Sequence, residues 1–338
     1  MGIIMAMKTP FTIAHLSDLH LSPAFYPERS MRFRSILSFC VEREVDHIII
    51  TGDITNQAKE EEFRHFREIL IEHSLLDSSK VSVITGNHDI FGGPHFAEDV
   101  LNFPSLCRST DYRQKLELFY HYTKETFSTA EFFSTNSLFP YLKVIGGIAV
   151  VGLNSVAEWH VLKNPIGSNG RISSGQFDCL RTLLKSRILH KKKILIAIHH
   201  HFSISELHSE ATSLERVWQA IESTTLKLRK KKRLLRLFSK ENVTKVLHGH
   251  VHTHGTYTKN GIEFINAGAT MIPAKNSPQA FHMITVRDGN IETESVTIPS
   301  ETKSRRKNII TEGHVHITGF HGILPVYPRR THSLGRKY

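Results

Sequence analysis

The chain has 338 residues, of which 40% are hydrophobic and 22% are charged, and its formal net charge at pH 7 is +11 with histidines neutral. This composition is that of a globular protein, which excludes a collagen-like, a coiled-coil or a fully disordered chain. The excess of lysine and arginine favours acidic partners such as phosphate esters, nucleic acid or an anionic membrane surface.

Short apolar runs alternate with longer amphipathic stretches, which is the pattern of a layered α/β protein. The predicted strands are, in chain order, Phe11–Leu16, His47–Thr51, Val81–Thr85, Ala149–Leu153, Ile194–Ile198, Val246–Leu247 and Glu263–Ile265. A helix is predicted over Glu60–Glu72, because Phe63, Phe66 and Ile69 fall on one face at helical spacing.

Residues 91–141 form a predicted insertion that is rich in aromatic residues. Eight of the 20 phenylalanines lie between Phe91 and Phe139. Two interpretations remain open: a helical flap that packs on itself, or an apolar wall beside a binding site. In the second case Phe127, Phe132 and Phe133 would contact the ligand.

A basic segment follows in the second half of the chain. Residues 227–238, with the sequence KLRKKKRLLRLF, contain seven basic and five apolar residues. They are interpreted either as a solvated helix face or as a basic amphipathic helix that suits an anionic membrane surface. From about residue 300 onward the chain is polar and basic, which predicts a tail or a peripheral strand.

Cysteine usage and hydropathy indicate the compartment. Cys40, Cys107 and Cys179 are odd in number and far apart, which predicts reduced thiols rather than disulfides. Residues 1–7 contain no basic residue and run directly into the first predicted strand, so no cleaved signal peptide is expected. No apolar stretch approaches the roughly 20 residues of a membrane-spanning helix. We therefore expect a cytoplasmic protein that is at most peripheral to a membrane.

Five predicted strands end in clusters of polar side chains. The clusters are Ser17-Asp18-Leu19-His20, Thr51-Gly52-Asp53, Gly86-Asn87-His88-Asp89, His199-His200-His201 and Gly249-His250-Val251-His252. Loops at the carboxyl ends of strands bring distant residues together. Carboxylate, imidazole and amide groups without thiolate suit divalent Mn, Fe, Co, Zn or Ni. There are enough of them for two ions, a centre that clamps a phosphoryl group and supplies hydroxide near neutral pH. The clusters therefore predict hydrolysis of a phosphoester.

In this order the clusters resemble the motifs of the calcineurin-like metallophosphoesterase superfamily: D-x-H, G-D, G-N-H-D/E, a single histidine and G-H-x-H. The resemblance covers roughly residues 10–295. It implies an α/β fold built as a four-layer αββα sandwich, with the site at the loop-rich edge of two sheets. It also implies a catalytic domain over residues 1–300, with the insertion as a lid at about 91–141, and a basic tail over residues 301–338.

The resemblance further implies two divalent metal ions, with manganese expected and Fe, Zn, Co or Ni compatible with the same ligands. It assigns Asp18, His20 and His252 to one ion, Asn87, His199 and His250 to the other, and Asp53 to both. His88 is expected to stabilise or protonate the leaving-group oxygen, while Asp89 fixes its ring. Counting from the strand end favours His199 as the ligand of the fourth motif, with His200 as the alternative.

Three substrate classes remain open. The segment Ser17–Leu21 (SDLHL) also resembles cyclic-nucleotide phosphodiesterases, and the net charge would suit a nuclease. Overall the chain is similar to the UDP-2,3-diacylglucosamine pyrophosphatases of lipid A synthesis. That resemblance implies a lipid nucleotide-sugar substrate cleaved to UMP and 2,3-diacylglucosamine 1-phosphate, and contact with an anionic inner-membrane surface. Neither nucleic acid nor an obligate protein partner is expected.

Overall fold

The computed structural model describes residues 10–94, 97–134, 137–202, 228–272 and 279–298. These residues form two large β-sheets with helices against them. The predicted tail over residues 301–338 lies outside the described residues, as does Lys227 at the start of the basic segment.

The first sheet has five strands in the order β14-β13-β1-β2-β3. Its strands are β1 (Phe11–Leu16), β2 (His47–Ile50), β3 (Val81–Val83), β13 (Gln279–Arg287) and β14 (Asn290–Ile298). β1, β2 and β3 run parallel, and the β13–β14 hairpin continues the sheet from β1 in antiparallel pairing. The prediction omitted this hairpin, although the Asp288-Gly289 pair at its turn is a strong hairpin signal.

The second sheet has seven strands in the order β11-β12-β10-β8-β6-β5-β4. These strands are β4 (Glu131–Phe132), β5 (Tyr141–Ile145), β6 (Ile148–Gly152), β8 (Lys193–Ala197), β10 (Lys245–His248), β11 (Gly255–Lys259) and β12 (Ile262–Asn266). The four central strands β12, β10, β8 and β6 are parallel. A separate small sheet pairs β7 (Gly170–Arg171) with β9 (Leu228–Arg229).

Six α-helices are described, and the predicted helix has the bounds of α2. The helices are α1 (Pro27–Glu42), α2 (Glu60–Glu72), α3 (Ala97–Ser109), α4 (Tyr112–Thr123), α5 (Ser174–Leu184) and α6 (Lys231–Lys240). Short 3₁₀ turns follow α4 at Lys124–Phe127 and α5 at Arg187–Leu189. None of the described helices is both long and apolar enough to cross a membrane.

The two sheets stack face to face and share one hydrophobic core. In β8, Leu195 packs with the first sheet, whereas the neighbouring Ile194 and Ile196 pack in a second cluster with α5 and α6. Successive side chains of a strand point to opposite faces, so a strand covered on both sides is apolar throughout. Helices α1 and α2 cover the outer face of the first sheet. The predicted four-layer αββα architecture is confirmed.

The aromatic insertion is integrated into the fold and does not form a separate flap. Phe119, Phe127 and Phe139 belong to the main hydrophobic core. The centroid of the Phe119 ring lies 6.3 Å from that of the Phe63 ring on α2. The expectation that Phe127, Phe132 and Phe133 line a ligand wall is therefore wrong for Phe127, which is 97% buried in that core. The insertion reaches the candidate site through Phe103 of α3 instead.

The structure supports the interpretation of the basic segment as a solvated helix face. Leu234, Leu235 and Phe238 of α6 are buried in the second cluster, so the apolar face of this helix is already covered. The Arg233 guanidinium lies 3.7 Å from the centroid of the Phe177 ring on α5. The exposed face of α6 is basic, so its attraction to an anionic surface would be electrostatic rather than insertive.

Lys143 on β5 is an exception to the apolar interior. It is 1% exposed, and its ammonium group donates to Ser78 O at 3.2 Å and Val81 O at 2.7 Å. Burial lowers the pKa of Lys143 to about 7, with Asp77 opposing the shift. An unfolded lysine titrates near pH 10.4, so between these values the unfolded chain binds more protons than the folded one.

We therefore expect the free energy of unfolding to increase as the pH rises from about 7 to about 10, by at most about 1.4 kcal/mol per pH unit, because the penalty for burying a protonated Lys143 disappears. The measurement is the melting temperature of the wild type and of Lys143→Met across this range. The melting temperature of the wild type should rise relative to that of Lys143→Met as the pH increases. A difference that does not change with pH would contradict the lowered pKa.

Candidate metal centre

Every predicted ligand lies in a loop that directly follows the carboxyl end of a strand. Asp18 and His20 follow β1, Asp53 follows β2, Asn87 follows β3, His199 follows β8, and His250 and His252 follow β10. The strands of each sheet that carry them run parallel, so their carboxyl ends meet at one edge. The structure brings all seven predicted ligands together there.

The first half of the cluster contains Asp18, His20 and His252, whose ligand atoms lie within 4.8 Å of one another. The Nε2 atoms of His20 and His252 are 3.2 Å apart, and Asp18 Oδ1 is 3.8 Å and 3.7 Å from them, respectively. Asp18 is fully buried, whereas the His252 side chain is 51% exposed. This half of the cluster is therefore open to solvent on the His252 side.

The second half contains Asp53, Asn87, His199 and His250. His199 Nε2 lies 3.0 Å from Asn87 Oδ1, 3.1 Å from His250 Nδ1 and 3.4 Å from Asp53 Oδ2. Asp53 Oδ2 is also 3.8 Å from His20 Nε2, so this oxygen lies between the two halves. That is the position expected of a bridging ligand.

The donor set fits divalent cations on chemical grounds. His199 Nδ1 donates its hydrogen to Thr51 O at 2.8 Å, so Nε2 is the nitrogen that would bind a cation in exchange for its proton. Nε2 faces the oxygens of Asn87 and Asp53, which are acceptors. A cation satisfies acceptors that converge in this way, and oxygen–imidazole sites of this kind bind borderline divalent ions. When bound, two such ions neutralise phosphoryl charge and supply hydroxide near neutral pH.

The charges of the site reinforce one another. Burial alone would raise the pKa of Asp53, but His199 and His88 outweigh it and hold this pKa well below its usual range. Burial opposes protonation of His199, yet the Asp53 carboxylate raises the pKa of that ring to about 9. Burial is also the main reason that the pKa of Asp18 is raised. The buried carboxylate of Asp53 is therefore an anion that attracts positive charge to this point.

The loops reach this arrangement through a backbone conformation that most residues avoid. Asp18, His20, Asp53 and His250 have φ values of 52°, 45°, 51° and 71°. Left-handed φ is uncommon for such residues and persists where the surrounding structure enforces it. Glycines make room beside them, because a Cβ on Gly86 would overlap the Asp53 carboxylate and one on Gly249 would overlap Ser17 and Asp18.

His88 is placed to exchange a proton beside the cluster. Its backbone N–H donates to Asp53 Oδ1 at 2.7 Å, and its ring lies edge-on to His20 with centroids 4.4 Å apart. Its Nδ1 donates to Asn56 O at 2.9 Å, which leaves Nε2 free to act on a substrate oxygen. This geometry agrees with the predicted role at the leaving group.

Asp89 has a different role from the predicted one. The His88 ring donates its hydrogen bond to Asn56 O, not to Asp89. The carboxylate of Asp89 accepts from the Gly86 and Thr55 amides, both at 2.9 Å, and from Thr55 Oγ1 at 3.1 Å. Burial and the charge of Asp53 raise the pKa of Asp89 to about 7. Asp89 therefore fastens the loop that carries Asn87 and His88, and the expectation that it fixes the ring is wrong.

The three consecutive histidines differ in what their rings contact. His199 faces the cluster, whereas both ring nitrogens of His200 are engaged elsewhere, with Ser155 Oγ at 2.8 Å and Ser168 O at 3.1 Å. His201 is buried and stacks on the His250 ring at 5.8 Å. The geometry favours His199 over His200 as the residue of the fourth motif.

A cleft of about 40 Å³ opens beside the cluster. It is lined by Asp53, Asn87, His88, His250 and His252 of the site. Phe103 and Ile166 also line it, together with Ser168 and residues 92–94. No sequence signal predicts the loop that supplies Ile166 and Ser168, because this loop carries no recurring pattern of polar residues.

Residues 11–254 match the family model described as calcineurin-like phosphoesterase. The chain belongs to this family. It is accordingly a metal-dependent phosphohydrolase, and the Asp/His cluster is its candidate metal centre. No curated protein matches the sequence significantly.

Solved structures share the fold at low sequence identity. A dimetal phosphatase from Danio rerio matches with 14% identity and a TM-score of 0.50, covering 85% of this chain and 98% of its own. A purple acid phosphatase from yellow lupin (Lupinus luteus) seeds matches with 13% identity and a TM-score of 0.53, covering 86% of this chain and 52% of its own. At these identities the likeness concerns the fold alone.

We expect two substitutions to separate metal binding from proton transfer. Asp53→Ala removes the oxygen between the two halves, so bound Mn²⁺ and phosphodiester hydrolysis should be lost together. His88→Ala should lower kcat by about 100-fold or more while the Mn²⁺ content stays unchanged, because general acid catalysis contributes about that much. Elemental analysis and steady-state kinetics test both variants. Loss of Mn²⁺ from His88→Ala would make His88 a ligand, since its ring also groups with His20 and Asp53.

Proposed function

We propose that this phosphohydrolase cleaves the pyrophosphate bond of UDP-2,3-diacylglucosamine at an anionic inner-membrane surface. Addition of water to one phosphorus and cleavage of its bond to the bridging oxygen releases UMP and 2,3-diacylglucosamine 1-phosphate. The substrate combines a charged pyrophosphate with two acyl chains, so it requires a polar and an apolar surface side by side.

The observation that carries the proposal is the mixed lining of the cleft. Phosphoryl-binding groups and the apolar side chains of Phe103 and Ile166 line the same cleft. Phe103 belongs to a hydrophobic cluster in which Trp159 also packs, so α3 and the loop over residues 157–169 form one apolar border. An acyl chain gains about 0.8 kcal/mol for each CH₂ group it buries against such a border.

Exposed apolar side chains extend this border to the protein surface. Leu101 and Leu106 of α3 are 84% and 53% exposed, and Val161 and Leu162 of the neighbouring loop are 62% and 82% exposed. A contiguous exposed apolar patch marks a ligand or membrane contact, and we assign these four side chains to one such patch. Arg229, which donates to Lys163 O at 2.9 Å, adds positive charge beside the same loop and favours an anionic surface.

A second candidate function is hydrolysis of a 3′,5′-cyclic nucleotide. The small size of the cleft favours a compact substrate over one with two acyl chains. A cyclic nucleotide would use the metal centre and leave the exposed leucines without a role.

The two functions are separated by comparing Mn²⁺-dependent hydrolysis of UDP-2,3-diacylglucosamine and cyclic AMP by the wild-type enzyme. We expect kcat/KM for the lipid nucleotide to exceed that for cyclic AMP by about 100-fold or more, because the apolar border contributes only to the lipid. UMP release is followed directly. A preference for cyclic AMP would overturn the lipid proposal and leave the metal centre unaffected.

Substitution of the border tests the same proposal locally. Leu101→Ser and Leu162→Ser should each raise KM for the lipid nucleotide up to about tenfold, because burial of a leucine side chain contributes about 1.5 kcal/mol. Hydrolysis of bis(p-nitrophenyl) phosphate should not change. Ile188→Ser is the matched control, since Ile188 is 42% exposed in the 3₁₀ turn after α5. An equal loss on both substrates would contradict a lipid-binding border.

A further inference from the structure

His20 and His199 differ in how their rings are held. The Nδ1 atom of His199 donates to Thr51 O, which is the kind of additional hydrogen bond that orients most histidines that bind metals. The Nδ1 atom of His20 is buried and has no hydrogen-bond partner among the described residues. The orientation of the His20 ring therefore depends on its backbone.

That backbone is itself in an unfavourable conformation. The φ of His20 is 45°, a left-handed value that is uncommon for residues other than glycine. Two hydrogen bonds hold it: the His20 N–H donates to Asp53 O at 2.9 Å, and the His20 carbonyl accepts from Arg29 Nη1 at 2.9 Å. Arg29 is thus the side chain that secures this peptide group from outside the loops of the cluster.

The same guanidinium reaches the residue that orients His88. Arg29 Nη1 donates to Asn56 Oδ1 at 3.3 Å, and Asn56 O accepts from His88 Nδ1. The guanidinium is fixed in turn, because it lies 3.6 Å from the centroid of the Tyr26 ring. One group extending from α1 therefore connects a predicted metal ligand to the predicted proton donor, whose rings are 4.4 Å apart.

We propose that Arg29 is a positioning residue of the phosphohydrolase, which holds His20 and His88 in register with each other. It replaces the ring hydrogen bond that His20 lacks, and it acts through the His20 carbonyl and the Asn56 side chain. The inference rests on the phosphohydrolase activity and is independent of the lipid substrate.

Arg29→Ala and Arg32→Ala form a matched pair for the test. Arg32 lies one turn further along α1, is also partly buried, and also donates to a loop carbonyl, that of Met271 at 2.8 Å. Three quantities are measured for both variants: the affinity for Mn²⁺ by titration calorimetry, kcat on bis(p-nitrophenyl) phosphate, and Tm.

For Arg29→Ala, one of the two Mn²⁺ ions should bind about 10- to 100-fold more weakly and kcat should fall by a similar factor, which is the usual effect of losing a group that orients a ligand. Arg32→Ala should retain the wild-type Mn²⁺ affinity and kcat. The Tm should fall by a similar amount in the two variants. Free guanidinium ion should restore part of the activity of Arg29→Ala and none of that of His88→Ala.

Two results would overturn the inference. One is an Arg29→Ala enzyme with wild-type Mn²⁺ affinity and kcat. The other is a loss of activity that guanidinium does not restore and that accompanies a much larger fall in Tm than in Arg32→Ala, which would make the role of Arg29 merely structural. Because the probes are a simple diester and the metal alone, neither result depends on whether the enzyme accepts a lipid nucleotide.

Discussion

In the deprotonated, metal-binding form of the site, electron-pair donors converge on one point and repel each other, and this repulsion is the constraint on which the rest of the structure depends. Asp53 is the centre of it, since one carboxylate oxygen faces histidines from both halves of the cluster. The chain holds the donors together with backbone hydrogen bonds between loops, such as Asp18 N to Gly52 O at 3.1 Å. This convergence requires left-handed backbone conformations at four of the ligand positions, and such conformations are unfavourable.

The layered architecture supplies the rigidity that such a site requires. Each sheet contributes part of the ligand set, and the core between the sheets is continuous from the outer helices to the second sheet. Close-packed interiors transmit strain and do not absorb it. A displacement of one sheet along the other would therefore move His199 away from Asp53, so the packing of Leu195 and its neighbours bears directly on the chemistry.

Much of the fold and the cluster could be predicted because both leave local signals. The strands are apolar runs of the right length, and each polar cluster begins where a run ends. The partner of Asp89 could not be predicted in this way, because the choice between a ring nitrogen and the Gly86 amide depends on tertiary geometry. The burial of Phe127 in the core could not be predicted either, since an aromatic residue shows the same sequence pattern in a core as in a ligand-binding wall. Arg29 carries no motif, and its function is visible only through the carbonyl of His20.

The predicted ligands extend from Asp18 to His252, so ions held between them would join the two ends of the catalytic fold. A cation that binds the folded chain but not the unfolded one stabilises the fold in proportion to the logarithm of its concentration. Scarcity of the ion would then lower the stability of the fold as well as the reaction rate. It would increase the fraction of molecules that open to proteases, so that the supply of metal in the cell also sets the lifetime of the enzyme.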